Sequence, residues 1–428
     1  MRTRLTNFLL VFVFLAATFL LPSCGGQETG QGSVGPGEEA QAGVGEVEGP
    51  ATSVTAPELE GDELLPEEGE EREEDVEFEA VKPLDTISQV IIIEDLPRYF
   101  LAGGWAGSEN IFGLSGTSPV FYNLNNKSFS SPELTAWSAS LSPDGQKLFY
   151  TNEEGAHLLH LNGSGHHHLG SNKEKEMDGG FLGGGLWSLD SKHLLFWYGY
   201  EWDTEFYVYS LESGEALPLQ TQLEGYFLTS PVGWADEQRL VFNSRASRKK
   251  DGTQEYSFGY RSDLALYDLA AGNSKGNYKK ITDADDGEFI EGISAGAYGI
   301  FYRRWFGDAD GSTGAAAYYG VMGAEGGRHW EEKIENVMGI SLSPDRTTLA
   351  YLAKTGQEGV NSRAKLVVKT QGKPLELAEL YLGSSWSGPY WSPRGDKILL
   401  SFSASVEGKD KSYSEQYYTI VVSSSLWH

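Results

Sequence analysis

A strand–turn–strand unit recurs along most of this 428-residue chain, and that recurrence limits its folds more than any single motif does. The clearest copies are "SLSPDGQKLFYT" (140–151), "WSLDSKHLLFWY" (187–198), "GWADEQRLVFNS" (233–244), "SLSPDRTTLAYL" (341–352) and "YWSPRGDKILLSF" (390–402). Weaker copies stand at "GGWAGSENIFGL" (103–114) and "GISAGAYGIFYR" (292–303). The first apolar residue of each second strand falls at Ile111, Leu148, Leu194, Leu240, Ile300, Leu349 and Ile398. Most of these intervals lie near the roughly 40–50 residues that four short strands and their turns occupy in a propeller blade. Between the markers, "FYVYSLESGEALPL" (206–219), "LALYDLAAGN" (264–273) and "KLVVKTQGKPLEL" (365–377) read as further hairpins. Tyr, Phe, Val and Trp dominate these runs, and no long stretch has a 3.6-residue period, so helix is nearly absent.

The turn "LSPDG" (141–145), followed by "KLFY" and "LLHLNGSGHHHLG", resembles the repeat of TolB-type, WD-repeat-like β-propellers. Ser343-Pro344-Asp345 and Ser392-Pro393 repeat its first part, with Arg346 replacing the glycine and Arg394-Gly395-Asp396 shifting it. The resemblance implies an all-β propeller over residues 86–428, of seven four-stranded blades, with six as the alternative. The last unit lacks a clear fourth strand, and "ISQVIIIED" (87–95) is a strong strand without a partner of its own. It is expected to complete the last blade and so remove an open sheet edge.

Ahead of this domain, "MRTRLTNFLLVFVFLAATFLLPSCGG" has a basic start and an apolar run shorter than a spanning helix needs. "LPSC" (21–24) resembles the lipobox of bacterial lipoprotein signal peptides. It implies a signal peptide over 1–23, lipidation of Cys24, and a domain anchored to a membrane on the extracytoplasmic side. Cys24 is the only cysteine, so no internal disulfide can form. Residues 24–85 then read as a tether. From 25 to 85 the chain carries 19 acidic and 2 basic residues, with no aromatic before Phe78. Such a segment cannot offset its ordering entropy by burial, and its end-to-end reach is about 45 Å.

Few motifs carry chemistry. "HLLHLNGSGHHHLG" (157–170) holds five of the eight histidines. A hairpin turning at "NGSG" would set His160 opposite His167, and two imidazoles fall short of a zinc site. "GISAG" (292–296) fits the nucleophile-elbow pattern, yet no strand–turn–helix setting surrounds Ser294. "DADDGE" (283–288) and "DADG" (308–311) lack the alternating acids of a calcium loop and read as turns. No metal site, cofactor or catalytic residue is expected, and the chain is expected not to be an enzyme. A formal charge of −28 argues against nucleic acid as a partner.

One pattern stands out. The segments 244–263, 303–317, 354–365 and 403–416 read as long loops on one face of the propeller, where binding usually lies. Arg248, Lys249, Tyr256, Tyr260, Arg303, Arg304 and Trp305 are the candidate anchors there, since arginine beside aromatics suits interfaces. The expected function is a non-enzymatic binding or scaffold module for an envelope protein or anionic polymer. The alternative is a hydrolase or small-ligand sensor using the central channel.

Overall fold

Alternation of buried and exposed side chains, broken by turn residues, gives a chain built only of strands among its described residues. The computed structural model describes residues 79–84, 88–171, 181–200, 203–223, 226–249, 256–270, 278–285, 287–306, 317–370, 373–407 and 412–424. Seven sets of four strands follow one another, each pairing mostly antiparallel from first strand to fourth. The first strands of the seven sets are Phe100–Trp105, Ser138–Leu141, Phe181–Trp187, Tyr226–Trp234, Glu288–Gly296, Val337–Leu342 and Trp386–Trp391. The fourth and fifth sets touch through one parallel bridge, Ser262 to Phe289. In the seventh set the fourth strand is Gln89–Ile92, which pairs antiparallel with Tyr413–Ser423 from Gln89–Ser423 to Ile92–Ile420.

The seven marker residues explain why the repeat keeps an apolar side chain there. Six of them are 0% exposed and Leu349 is 4% exposed. Six of them, all but Ile398, pack into clusters shared by neighbouring sheets, as Leu240 does with Leu195, Phe206, Trp234 and Phe242. Ile93, Phe100 and Ile111 of the first sheet region pack with Leu399 and Val421 of the last. Burying a side chain of this kind contributes about 1.5–3 kcal/mol, so these seams hold the sheets together.

The Ser-Pro-Asp turn has an equally plain cause. Ser142 donates to Asp144 Oδ1 at 2.5 Å and accepts from the Lys147 N–H at 2.9 Å, closing the turn from inside. Ser188 with Asp190 and Ser343 with Asp345 repeat this arrangement, and Ser392 forms it with Asp396. All four serines are buried. Burial disfavours the Asp144 carboxylate, but hydrogen bonds from Lys147, Ser142 and the Gln146 N–H outweigh it and hold the pKa below the usual range.

Three expectations need correction. The described parts of the segments 244–263, 354–365 and 403–416 are not loops. Arg239–Lys249 pairs with Tyr256–Asp268 out to Lys249–Tyr256, Leu349–Glu358 with Asn361–Lys369 out to Glu358–Asn361, and Lys397–Glu407 with Tyr413–Ser423 out to Glu407–Tyr413. They are two-stranded ribbons that continue the sheets, because backbone pairing persists after the apolar face ends. The histidine hairpin closes one residue earlier than expected. Asn162 Oδ1 caps the Ser164 N–H, the His160 N–H donates to the Gly165 carbonyl, and His168 therefore lies opposite His157. Finally, Val81–Pro83, which read as the end of the tether, pairs along the outside of the sixth sheet at Leu380, Glu379 and Ala378.

Candidate functional site

Six of the seven first strands carry a β-bulge, and glycine sits at or beside the shift. The shifts fall at Ala102/Gly104, Gly184/Leu186, Pro231/Gly233, Gly292/Ser294, Val337/Gly339 and Ser387/Tyr390. The glycines let neighbouring first strands approach. A Cβ at Gly185 would meet Ser140 Oγ at 2.1 Å, and one at Gly339 would meet the Trp386 ring at 2.6 Å. Hydrogen bonds cross the same seams. Trp187 Nε1 donates to Ser140 Oγ, Trp234 Nε1 to the Leu186 carbonyl, and Trp105 Nε1 to the Tyr390 carbonyl. Ser387 Oγ donates to the Ala102 carbonyl at 2.7 Å, joining the last first-strand to the earliest. Bulges re-aim side chains and leave ladder groups free, and they concentrate beside active sites.

The predicted anchors divide into two groups. Arg248, Lys249, Tyr256 and Tyr260 lie on the two strands of the fourth sheet's ribbon, where the backbones of Lys249 and Tyr256, and of Arg248 and Ser257, pair. Arg303, Arg304 and Trp305 stand in a row on Gly299–Phe306 of the fifth sheet. There the guanidinium groups are already occupied. Arg303 pairs with Glu291 at 3.0 Å and lies 4.5 Å over the Trp305 ring, which stacks on Phe289. Arg304 pairs with Glu331 and with Glu288 at 3.2 Å, and it lies over Tyr318 and Phe306. The Tyr302 hydroxyl donates to Glu331 at 2.7 Å. Burial disfavours the Glu331 carboxylate, but Arg304 and Tyr302 outweigh that and hold its pKa below the usual range. Cys24 lies outside the described residues, as does "DADG" at 308–311.

The histidines make a stack. His157 is buried, its ring 4.9 Å from Tyr150, 5.2 Å from His166 and 5.0 Å from His168. Its Nε2 shares a hydrogen bond with Asn152 Oδ1. Burial, then the His168 and His166 charges, lowers its pKa. Among the described residues no three His, Cys, Asp or Glu side chains converge as metal ligands.

The turn end of the sheets holds a residue the sequence marked only as an irregularity. Turns of the third, fourth and fifth sheets line an open groove of about 540 Å³, with Asp190, Glu237, Arg239, Asp268 and Ala297 in its wall. In the sixth sheet the corresponding turn carries Arg346, whose Nη1 donates to Ser294 Oγ of the fifth sheet at 3.3 Å. The guanidinium forms no ion pair among the described residues, and its buried Nε has no hydrogen-bond partner.

No family model and no curated protein matches the sequence. Solved structures do resemble the fold. An oligogalacturonate lyase in complex with manganese aligns over 81% of this chain and 96% of its own, at 13% identity and a TM-score of 0.54. An oligogalacturonate lyase from Vibrio parahaemolyticus aligns over 80% and 97%, at 12% identity and a TM-score of 0.51. The β-propeller domain of the Trilobed protease from Pyrococcus furiosus aligns over 75% and 96%, at 13% identity and a TM-score of 0.45. At such identities the likeness is one of fold. It still corrects the expectation that this chain is not an enzyme. Two structures with a TM-score above 0.5 are lyases that match along nearly their whole length, so the lack of a sequence motif for catalysis does not exclude it.

Proposed function

We propose that the seven sheets close into a seven-bladed, TolB-like propeller that works as an enzyme on a saccharide at its bulged first-strand layer. The row of six bulges is the observation that carries this reading, since it gathers free backbone groups and small residues at one level. The pairing of Gln89–Ile92 with the last strand, and the bond from Ser387 to Ala102, support closure. The two lyases, whose names give oligogalacturonate, support the substrate class. The manganese of one of them has no matching ligand set among the described residues.

The same proposal places the domain outside the cell, held by a lipid on Cys24 and spaced from the membrane by the acidic segment. The ribbon carrying Arg248, Lys249 and Tyr256 then serves as a landing place for an anionic polymer before it reaches the layer. The full chain, incubated with oligogalacturonate and with neutral oligosaccharides, should generate new chain ends, read as reducing ends and as unsaturated product in the ultraviolet. No cleavage of any saccharide in that panel would sink the enzymatic reading. Cys24→Ser should release the protein from membranes, and unchanged membrane association would remove the anchor from the proposal.

A further inference from the structure

The Ser-Pro-Asp turns share one backbone requirement at their fourth or following position, a left-handed residue. Gly145 (φ 69°) and Gly395 (φ 74°) meet it without strain. At the sister positions of the third and sixth sheets stand Ser191, with φ 61°, and Arg346, with φ 62°. An arginine there strains the backbone, and the fold receives little in return. Its half-buried guanidinium is drawn partly out of water, which lowers its pKa. It has no carboxylate partner among the described residues, although the chain carries 61 acidic residues. Its one hydrogen bond, 3.3 Å to Ser294 Oγ, is long, and its Nε has none. Gly296 leaves room beside it, since a Cβ there would stand 2.5 Å from Nη2. Three costs therefore meet at one side chain: strain, desolvation and unmade hydrogen bonds. Ser191 (φ 61°) bears the backbone cost at the third sheet's turn as well, so desolvation and unmade hydrogen bonds are what set Arg346 apart from its sisters.

We infer that Arg346 and Ser294 form a carboxylate-binding site for the acidic group of a sugar acid. A carboxylate matches the guanidinium fork with two parallel N–H···O bonds, and the Ser294 hydroxyl, freed from its weak contact, donates a third. The two side chains come from different sheets, so the site exists only when the fifth and sixth sheets are docked. Ser294 belongs to "GISAG", and here it binds rather than attacks. That the ligand is a sugar acid rests on the proposed function; that it is an anion rests on Arg346 alone.

The test is calorimetric titration of the full chain with galacturonate, with galactose as its uncharged counterpart. Wild type should bind galacturonate saturably and ignore galactose. Arg346→Gly, which restores the sister residue, should weaken galacturonate binding by roughly tenfold or more. Without ligand the same variant should melt at the wild-type temperature or above it. Arg346→Lys should bind more weakly than wild type, because a point charge replaces the fork. Undiminished binding by Arg346→Gly, or absence of galacturonate binding by wild type, would overturn the inference. A fall in melting temperature for Arg346→Gly would overturn it too, by showing that the arginine serves the fold. Galacturonate binding without saccharide cleavage would sink the proposed activity and leave this site standing. Cleavage of saccharides without galacturonate binding would do the reverse.

Discussion

Arg304 and Arg346 sit in adjacent sheets, both drawn partly out of water, and the fold treats them in opposite ways. Around Arg304 it supplies two carboxylates, Glu288 and Glu331, and two aromatic faces, Tyr318 and Phe306. Around Arg346 it supplies a serine hydroxyl at 3.3 Å. A charge removed from water has to be compensated, and the compensation is visible in one place and missing in the other. The arginine that looked like a docking residue in the sequence is part of the structure. The one that looked like a lapse in the repeat is the one left open to a ligand.

This contrast can be broken most directly at Arg304. Arg304→Ala would leave Glu288 without its cation and Glu331 with only Arg328 at 3.8 Å, and should cost about 3 kcal/mol of stability by analogy with other broken, partly buried ion pairs. Chemical denaturation of the full chain reads this as a lower midpoint. A loss below about 0.5 kcal/mol would mean that the cage behaves like an ordinary surface pair, and the contrast with Arg346 would collapse.

Acid should expose the same difference with a smaller effect. Glu331 has its folded pKa below the ordinary value, so its contribution is present above the unfolded pKa, about 4.3, and is lost as the pH falls through the folded value. Wild type should therefore lose more stability than Arg304→Ala between about pH 5 and pH 3, because the variant has already lost that contribution. Parallel curves for the two proteins would show that Glu331 does not depend on Arg304. His157 shifts in the same direction by another route. Burial lowers its pKa, so stability should fall as the pH drops from about 6.5 toward its folded value, and His157→Phe should flatten that limb of the curve.

The sequence carried the parts of this fold that repeat. The apolar markers at Leu148, Leu194 and Leu240 are buried to completion, and each Ser-Pro-Asp or Ser-Leu-Asp run closes its turn through the serine. Those features are local or periodic, so one chain displays them. The ribbons were missed because their far ends bury no apolar face and are held by backbone pairing and polar bonds, such as those between Asn361 and Ser405, which leaves no alternation to read. The pairing of Arg304 was hidden for a different reason. Its partners Glu288 and Glu331 lie 16 and 27 residues away, on two other strands of the sheet, and only register brings them to it. Arg346 was visible as a departure from glycine, but its reach to Ser294 crosses from one sheet to the next, and no local pattern contains that.

The smallest expected effect isolates how much of Arg346's burden is backbone. At Gly145, the sister position in the second sheet, φ is 69° and an added Cβ would meet nothing within 4 Å. Gly145→Ala therefore adds no clash and removes no contact. It should cost about 1 kcal/mol, the price of a left-handed residue with a side chain, and this should appear as a small drop in denaturation midpoint. If Arg346→Gly then stabilises the protein by about the same amount, backbone strain accounts for the difference, and desolvation of the guanidinium contributes little. A larger gain would assign the excess to the unpaired charge, the part of the cost that a bound carboxylate would relieve. No change at Gly145 would mean that these turns tolerate any residue, and the strain at Arg346 would no longer argue for a ligand.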